Sequence, residues 1–254
     1  MSRLVSIHSF RGGTGKSNLS ANLAAQLALA GNRVVVIDTD IQSPGVHVLF
    51  GLDPEEMGHT VNEFLWDQVD MAACLHDVSS AVPGLSPGSS IHLIPGSMDA
   101  GDIAKILQDG YSVAKLNDGI QRILASGDFD YMLIDTHPGV NEETLLSIAI
   151  SDFLLLAVRP DQQDFQGTAV TAELARQLEV PFMEMVISKA LAAMDFEKLQ
   201  SRVESIFNAK VVATLPHTDE MVMMGSSGLY SIKYPEHDYS IGVRKICDRL
   251  KEAL

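Results

Sequence analysis

A glycine-rich turn at residues 10–17 constrains the fold of this chain more than any other feature. The segment reads Phe-Arg-Gly-Gly-Thr-Gly-Lys-Ser and follows a short apolar run at 4–7. Leucines come after it at the spacing of one helical face: Leu19, Leu23 and Leu27. A strand, a glycine turn and a helix N-terminus direct backbone N–H groups and the positive end of the helix dipole at one point. The sequence therefore predicts a phosphate-binding loop, with Lys16 reaching the phosphates and the Ser17 hydroxyl coordinating Mg²⁺.

Length and cysteine content narrow the class of protein. With 254 residues the chain is long enough for one α/β domain, so we expect a single domain over residues 1–254. No apolar run approaches the roughly 18 residues of a membrane-spanning helix, and a strand begins too early for a signal peptide. Cys74 and Cys247 are too few for a disulfide framework, which suits a reducing compartment. We therefore expect a cytoplasmic protein.

The formal net charge of −15 is unevenly distributed. The charged side chains of residues 1–33 are all basic, whereas most acidic residues lie between Asp38 and Glu173. Nucleic-acid binding relies on clustered Lys and Arg, so the overall acidity argues against a broad nucleic-acid-binding face. It leaves room for a local basic patch in the C-terminal third, whose candidate members include Lys198, Arg202, Lys210 and Lys233.

Apolar runs rich in β-branched residues alternate along the chain with segments of helical periodicity. The runs predict strands at 4–7, 34–37, 91–94, 131–134, Phe153–Val158, 182–187 and 210–215. The helical segments are 113–125, 142–150, 166–178, Phe196–Phe207 and 241–253. Strand alternating with helix implies right-handed crossovers. We therefore predict an α/β fold with a mostly parallel, twisted sheet, helices on both faces, and a ligand at the carboxyl ends of the strands.

Three aspartates lie at the ends of predicted strands. Asp38 and Asp40 follow one apolar run, and Asp135 follows another. Mg²⁺ prefers octahedral oxygen coordination and is commonly held through water by one or two carboxylates. Together with Ser17, the three carboxylates predict a metal site beside the phosphate loop. Capping of the following turn is the alternative for each aspartate taken alone.

With these motifs the chain resembles the MinD/ParA family of deviant Walker A P-loop ATPases over nearly its whole length. The ordinary P-loop has a glycine where this chain has Phe10, and segment 12–17 matches the variant loop of that family. Segment 37–43 is similar to the second motif of the family, in which Asp40 takes the position linked to hydrolysis. The resemblance implies a P-loop ATPase fold that binds ATP and Mg²⁺.

Segment 134–139 resembles the switch segment of the same family. There the backbone N–H of Gly139 would sense the γ-phosphate. His137 stands where the family usually has proline, and its role is open between a structural and a catalytic one.

The resemblance also extends to an adenine pocket. Ser188 and Lys189 occupy the place of an Asn-Lys pair that reads adenine, and the serine weakens the case for direct amide recognition of the base. Segment 215–217 is similar to the one that closes over the ring, with a plain strand-to-helix turn as its alternative. The residues implied for ATP binding are Arg11, Gly12, Gly13, Thr14, Gly15, Lys16, Ser17, Asn18, Gly139, Ser188, Lys189, Leu215, Pro216 and His217.

Arg11 is the departure from the family pattern that matters most. The family usually has a signature lysine there, which reaches across a dimer to the phosphates of the partner. Arginine keeps the charge and adds a planar fork of donors, so it can act on transition-state charge in trans. The alternative is an ordinary surface arginine. The resemblance thus makes Lys16, Asp40 and Arg11 the catalytic residues.

The function that the resemblance implies is an ATP-dependent dimerisation switch. Its hydrolysis would be slow and stimulated by an adaptor protein, and the homodimer would position a plasmid, a chromosome, a carboxysome or another protein assembly on the nucleoid through non-specific DNA binding. One alternative is a MinD-like membrane-associated ATPase, which would use the apolar stripe of the 241–253 helix. Another is a regulator that binds ATP without hydrolysing it.

Two further classes fit less well. An iron–sulfur carrier on this fold needs paired cysteines, and Cys74 and Cys247 form no CxxC motif. A bacterial-type tyrosine kinase carries a tyrosine cluster in a flexible tail. Tyr230, Tyr234 and Tyr239 form such a cluster, but they precede a predicted helix.

Overall fold

The computed structural model describes residues 2–254 and contains, over that range, one eight-stranded sheet. In chain order its strands are β1 Arg3–His8, β2 Arg33–Asp38, β3 His76–Asp77, β4 Ser90–Ile94, β5 Tyr131–Asp135, β6 Phe153–Val158, β7 Phe182–Ala190 and β8 Val211–Pro216. In space they follow the order β3-β4-β2-β5-β1-β6-β7-β8. Neighbours are parallel except β3 with β4, so the predicted mostly parallel sheet is confirmed.

Helices cover both faces of the sheet, as predicted. In chain order they are α1 Lys16–Leu29, α2 Val46–Leu49, α3 Val61–Leu65, α4 Ala100–Asp109, α5 Val113–Ser126, α6 Glu142–Ala149, α7 Gln162–Gln177, α8 Phe196–Phe207, α9 Asp219–Met224, α10 Tyr230–Lys233 and α11 Asp238–Ala253. On one face, α1, α10 and α11 share an apolar cluster with the strands. On the other, α3 and α5 build a second cluster, and α6, α7 and α8 build a third. Within residues 2–254, no helix is both long enough and apolar enough to span a membrane.

The central strands place the predicted site because they end together. β5 lies between β2 and β1, with Asp135 opposite Asp38 on one side and opposite Ile7 on the other. All three strands are almost completely buried, which explains their unbroken apolar runs. Since they are parallel, the loops that follow them meet at one edge of the sheet.

The differences between predicted and observed elements have local causes. β7 continues to Ala190 rather than ending at 187, because an irregularity in its pairing with β8 absorbs the extra residues. α7 begins at Gln162, ahead of the predicted 166, since Asp161 caps it by accepting from the N–H of Asp164. The shortest elements, β3, α2, α3, α9 and α10, are too brief to show a period in the sequence.

Candidate functional site

The loop between β1 and α1 has the backbone of an anion cradle. Gly13 (φ +74°) and Gly15 (φ +94°) are in the left-handed region, which glycine adopts without steric cost. Gly15 is also the residue before the first turn of α1, so the N–H groups of that turn face the loop. The Thr14 hydroxyl donates to Ser9 Oγ (2.8 Å), and Ser9 Oγ donates to the Arg11 carbonyl (2.8 Å). These hydrogen bonds within the loop stabilise its cradle-like conformation.

Asp135 supplies a buried carboxylate beside the start of α1. The Ser20 hydroxyl donates to its Oδ1 at 2.8 Å, and its Oδ2 has no hydrogen-bond partner among residues 2–254. Burial raises the pKa of this carboxyl, while the Lys16 ammonium and the Ser17 hydroxyl act in the opposite direction. A buried oxygen without a partner, close to a hydroxyl, matches the oxygen chemistry by which Mg²⁺ and its waters are held.

Asp38 is also buried but is engaged by the backbone. Its Oδ1 accepts from the N–H of Asp40 (3.1 Å), and its Oδ2 accepts from the N–H groups of Gly45 (2.9 Å) and Val46 (3.1 Å). Burial, reinforced by the charge of Asp135, raises its pKa to about 7. In the structure Asp38 therefore fixes the loop after β2, and its contribution to a metal shell stays a prediction.

Asp40 and His137 form a hydrogen-bonded pair at the sheet edge. His137 Nδ1 lies 2.7 Å from Asp40 Oδ1. Both side chains are largely buried, with 22% of the His137 surface and 14% of the Asp40 surface exposed. The buried Glu143 carboxyl lies nearby, and burial together with the charge of Asp40 raises its pKa to about 7. Asn141, which caps α6, donates to Glu143 Oε1 at 2.8 Å. The sequence shows no periodic signal that links Glu143 to this site.

The switch segment after β5 touches the phosphate loop directly. The N–H of Gly139, at φ +91°, donates to the Ser9 carbonyl at 3.3 Å. A Cβ placed on Gly12 would lie 3.9 Å from Cγ of Pro138. The predicted sensor N–H is thus adjacent to the loop, and in this conformation it is occupied by a loop carbonyl.

A pocket of about 220 Å³ continues from the loop toward β7 and β8. Its lining includes the residues predicted for the adenine pocket, Ser188, Lys189, Leu215, Pro216 and His217, together with Thr14, Gly15 and Asn18 from the loop and the start of α1. Sequence reasoning missed its remaining polar and apolar walls, which include Thr218, Met221, Val222 and Tyr239. These residues lie at or within the short helix α9, or in α11 before its predicted start at 241, so no sequence motif points to them.

An irregular strand end shapes this pocket. Ile187 pairs with Thr214 and Ala190 with Pro216, so β7 has one residue more than β8 between these pairs. The extra residue is accommodated by Lys189 at φ +54°, a left-handed conformation. The Ser188 hydroxyl donates to the Thr14 carbonyl and ties β7 to the phosphate loop. Ser188 therefore supports the loop, a contact that its place in the family motif does not suggest.

Arg11 lies against the start of α7. Its Nη1 is 3.6 Å from Asp161 Oδ1, and 35% of its side-chain surface is exposed. Arg159 shares the same carboxylate at 3.4 Å and also pairs with the buried Asp164 at 3.5 Å. The structure thus holds Arg11 in an exposed ion pair within its own chain.

The structure does not support the membrane alternative, and it separates the residues of the candidate basic patch. The apolar stripe of α11, with Val243, Ile246 and Leu250, is fully buried against the domain and offers no membrane-binding face. Lys198 and Arg202 lie on α8, which covers the opposite face of the sheet from α11. The candidate basic residues therefore do not form one continuous patch on a single chain.

The residues on which the iron–sulfur and kinase alternatives depend are also buried. Cys74 and Cys247 are free thiols in two different apolar clusters, which separates them as a metal-binding pair. The rings of Tyr230 and Tyr239 are largely buried and lie edge to face at 5.5 Å, and the Tyr234 ring lies 4.8 Å from that of Tyr230 at a tilt of 39°. The tyrosine cluster is therefore part of the core, unlike a flexible tail.

Comparison with known proteins gives the family. The family model AAA_31, described as an AAA domain, matches residues 2–184, well over half of the chain. An uncharacterized ATP-binding protein of Methanocaldococcus jannaschii is 25% identical over 235 residues, which cover 91% of this chain and 81% of that protein. The septum site-determining protein MinD of Helicobacter pylori is 30% identical over 161 residues, 63% of this chain and 54% of that protein.

Solved structures agree with this assignment at the level of the fold. MinD of Pyrococcus horikoshii complexed with Mg-ADP matches with a TM-score of 0.80 at 19% identity, covering 99% of this chain and 97% of that one. A plasmid partition protein of Borrelia burgdorferi matches with a TM-score of 0.73 at 18% identity and complete coverage of both chains, 100% each. The chain therefore belongs to the AAA_31 family and shares its fold with MinD and plasmid partition proteins.

Proposed function

We propose that this protein is a Mg²⁺-dependent ATPase that works as a dimerisation switch and positions a cellular cargo. The observation that carries the proposal is the continuity of two sites. The phosphate loop and the base pocket share Thr14, Gly15 and Asn18, so one nucleotide fits across both. A loop for phosphate alone would need no such pocket.

Each part of the site has a role in this proposal. Loop N–H groups and Lys16 bind the phosphates, and the pocket holds the base. Ser17 and Asp135 would hold Mg²⁺, with Asp38 and Asp40 contributing through water. When bound, Mg²⁺ neutralises the negative charge that develops on the phosphates. Asp40 orients the attacking water.

Dimerisation is the step that makes hydrolysis useful as a switch. ATP must bind one association state more tightly than the other, because equal affinity shifts no population. Arg11 is suited to sense the state because its ion pair with Asp161 is exposed and therefore weak. In the dimer we expect its guanidinium on the phosphates of the partner, with an adaptor protein stimulating turnover.

The cargo and the surface it moves on are the least constrained parts of the proposal. The resemblance favours a plasmid, a chromosome, a carboxysome or another protein assembly carried on nucleoid DNA in the cytoplasm. The burial of the α11 stripe weighs against a membrane surface. Because each chain separates its basic residues onto two faces, a DNA-binding patch would have to form between two chains of the dimer.

A regulator that binds ATP without hydrolysing it is the second candidate. The observation that favours it is that the Gly139 N–H, the proposed γ-phosphate sensor, donates to the Ser9 carbonyl. Turnover separates the two functions. Steady phosphate release that is lost in Asp40→Ala supports the ATPase, and ATP binding without release supports the regulator.

Lys16→Ala tests the nucleotide site itself. Because Lys16 is a largely buried ammonium beside the loop, its loss should weaken ATP binding at least tenfold, roughly the worth of one charge-assisted contact. Isothermal titration with Mg²⁺-ATP measures this. The matched control is Lys198→Ala, which removes an exposed lysine on α8 and should leave the affinity unchanged. Equal affinity in Lys16→Ala and wild type would mean that ATP binds elsewhere.

A further inference from the structure

The Asp40–His137 pair has a simple topological origin. Asp38 and Asp135 are register partners on the adjacent parallel strands β2 and β5. Asp40 and His137 each lie two residues beyond that pair, so the two chains leave the sheet side by side and their side chains meet. The resulting contact joins His137 Nδ1 to Asp40 Oδ1 at 2.7 Å.

The backbone on both sides of this contact is fixed. The N–H of Asp40 donates to Asp38 Oδ1 (3.1 Å), whose carboxylate is itself held by the following loop. Next to His137, the Thr136 hydroxyl donates to the Ile7 carbonyl (3.0 Å), and the Thr144 hydroxyl donates to the His137 carbonyl (3.4 Å). Two anchored segments therefore present one side chain each, with little freedom left to either.

The chemistry of the two groups sets the direction of the hydrogen bond. An ionised carboxylate only accepts, so His137 Nδ1 carries the hydrogen and donates it to Asp40. This bond uses Oδ1 and leaves Oδ2 to accept a hydrogen from water. The hydrogen bond to His137 Nδ1 thus fixes one carboxylate oxygen and with it the plane in which the other oxygen lies.

We propose that His137 is a positioning residue, which holds the Asp40 carboxylate in the orientation that aligns the attacking water. The inference rests on the proposed ATPase function and deepens it. In the reaction, the water oxygen forms a bond to the γ-phosphorus, and the bond from that phosphorus to the β–γ bridging oxygen breaks. The electron pair of that bond remains on ADP. One water proton ends on the inorganic phosphate and the other is released to solvent.

The test compares His137→Ala with His137→Asn. An Asn side-chain amide places an N–H close to where Nδ1 lies, so it can keep the bond to Asp40, whereas alanine cannot. We expect kcat for Mg²⁺-ATP hydrolysis to fall on the order of tenfold or more in His137→Ala, with the ATP Kd changed less than about twofold. His137→Asn should recover most of kcat. His59→Ala, which removes an exposed histidine paired with Glu63, is the matched control.

Each outcome decides the proposal. A wild-type kcat in His137→Ala overturns it, and so does a His137→Asn variant as slow as the alanine one, since that pattern indicates a merely structural histidine. Thermal unfolding of each variant shows whether the alanine variant folds, and the asparagine variant carries the test if it does not. Asp40→Ala separates the two levels: if it leaves turnover unchanged, this inference is wrong while the ATPase assignment stands, whereas a wild type without turnover overturns both.

Discussion

At the scale of single residues, the site relies on side chains that serve two partners. Asp161 is such a residue, because it caps α7 through the N–H of Asp164 (2.9 Å) and also pairs with the guanidinium groups of Arg11 and Arg159. Ser188 likewise lines the base pocket and donates to the loop carbonyl of Thr14. A substitution that keeps one of the two contacts and removes the other can therefore isolate a single function.

Asp161→Asn releases Arg11 without removing the helix cap, because Asn caps as well as Asp. The exposed ion pair is worth at most about 1 kcal/mol, so the free energy of unfolding should change by less than that. Since Arg11 no longer has to leave its own chain's carboxylate, ATP-dependent dimerisation should tighten up to roughly fivefold. Analytical ultracentrifugation with a slowly hydrolysed ATP analogue measures the dimer Kd.

The matched control for this prediction is Asp195→Asn. Asp195 also caps a helix, α8, and also pairs with a basic side chain, Lys198 at 3.0 Å, but it lies away from the loop. It should leave the dimer Kd at the wild-type value. If Asp161→Asn weakens dimerisation, the intrachain pair prepares Arg11 for the dimer and does not compete with it.

Part of this residue-scale picture could be predicted from the sequence. Lys16, Ser17 and Asp135 stand in fixed positions relative to a glycine loop or a strand, so local patterns point to them. Ser20 could not be identified in this way. It donates to Asp135, which is 115 positions away in the chain, and its partner is set by how α1 packs on the sheet. Contacts of this kind need the fold.

At the scale of elements, the packing of Phe10 on α7 is what departs most from an ordinary P-loop. A Cβ on Gly167 would lie 1.9 Å from Cδ1 of the Phe10 ring, so the ring occupies the space that a side chain at 167 would take. Gly167 is buried in the middle of the helix, where glycine is otherwise unfavourable. Gly167 therefore leaves room for the side chain of Phe10, the first residue of the loop, although glycine is unfavourable within the helix.

Gly167→Ala should displace that ring and with it the loop. Alanine is the better helix former by about 1 kcal/mol, yet overpacking costs typically about 1–3 kcal/mol, so we expect net destabilisation or none, never the usual gain. ATP affinity should fall in the same variant. Chemical denaturation and titration with Mg²⁺-ATP measure the two effects.

The double variant Phe10→Ala/Gly167→Ala provides the control. With the ring removed, alanine at 167 meets no obstacle, and the double variant should be at least as stable as Phe10→Ala alone. A stability gain of about 1 kcal/mol in Gly167→Ala by itself would contradict the packing argument, since that is the gain expected at an unobstructed helical glycine.

Most elements with a strong period are predicted, although the amphipathic helix α4 is not, and those defined by their neighbours could not be. The buried strands β1, β2, β5 and β6 show continuous apolar runs, and all are found where the sequence indicates. The end of β7 escapes prediction because a residue with positive φ, Lys189, continues the strand through an irregularity. In α9, no periodic stripe is needed, since no residue of this helix is buried.

At the scale of the whole molecule, strand order concentrates the chemistry at one edge. The order β2-β5-β1 brings three loops together, although the loop after β5 is about a hundred positions from the loop after β2 in the chain. The rest of the sheet, β6 to β8, extends the same edge into the base pocket. Parallel alternation of strands and helices predicts such an edge, but only the observed order says which loops share it.

The whole molecule is also where the central claim is tested, because a switch changes its association state. We would measure solution mass by light scattering in Mg²⁺-ADP and in Mg²⁺ with a slowly hydrolysed ATP analogue, for wild type and Arg11→Ala. We expect a monomer of 27.5 kDa in ADP, a dimer with the ATP analogue, and no dimer in Arg11→Ala. A mass that does not depend on the nucleotide would contradict the switch.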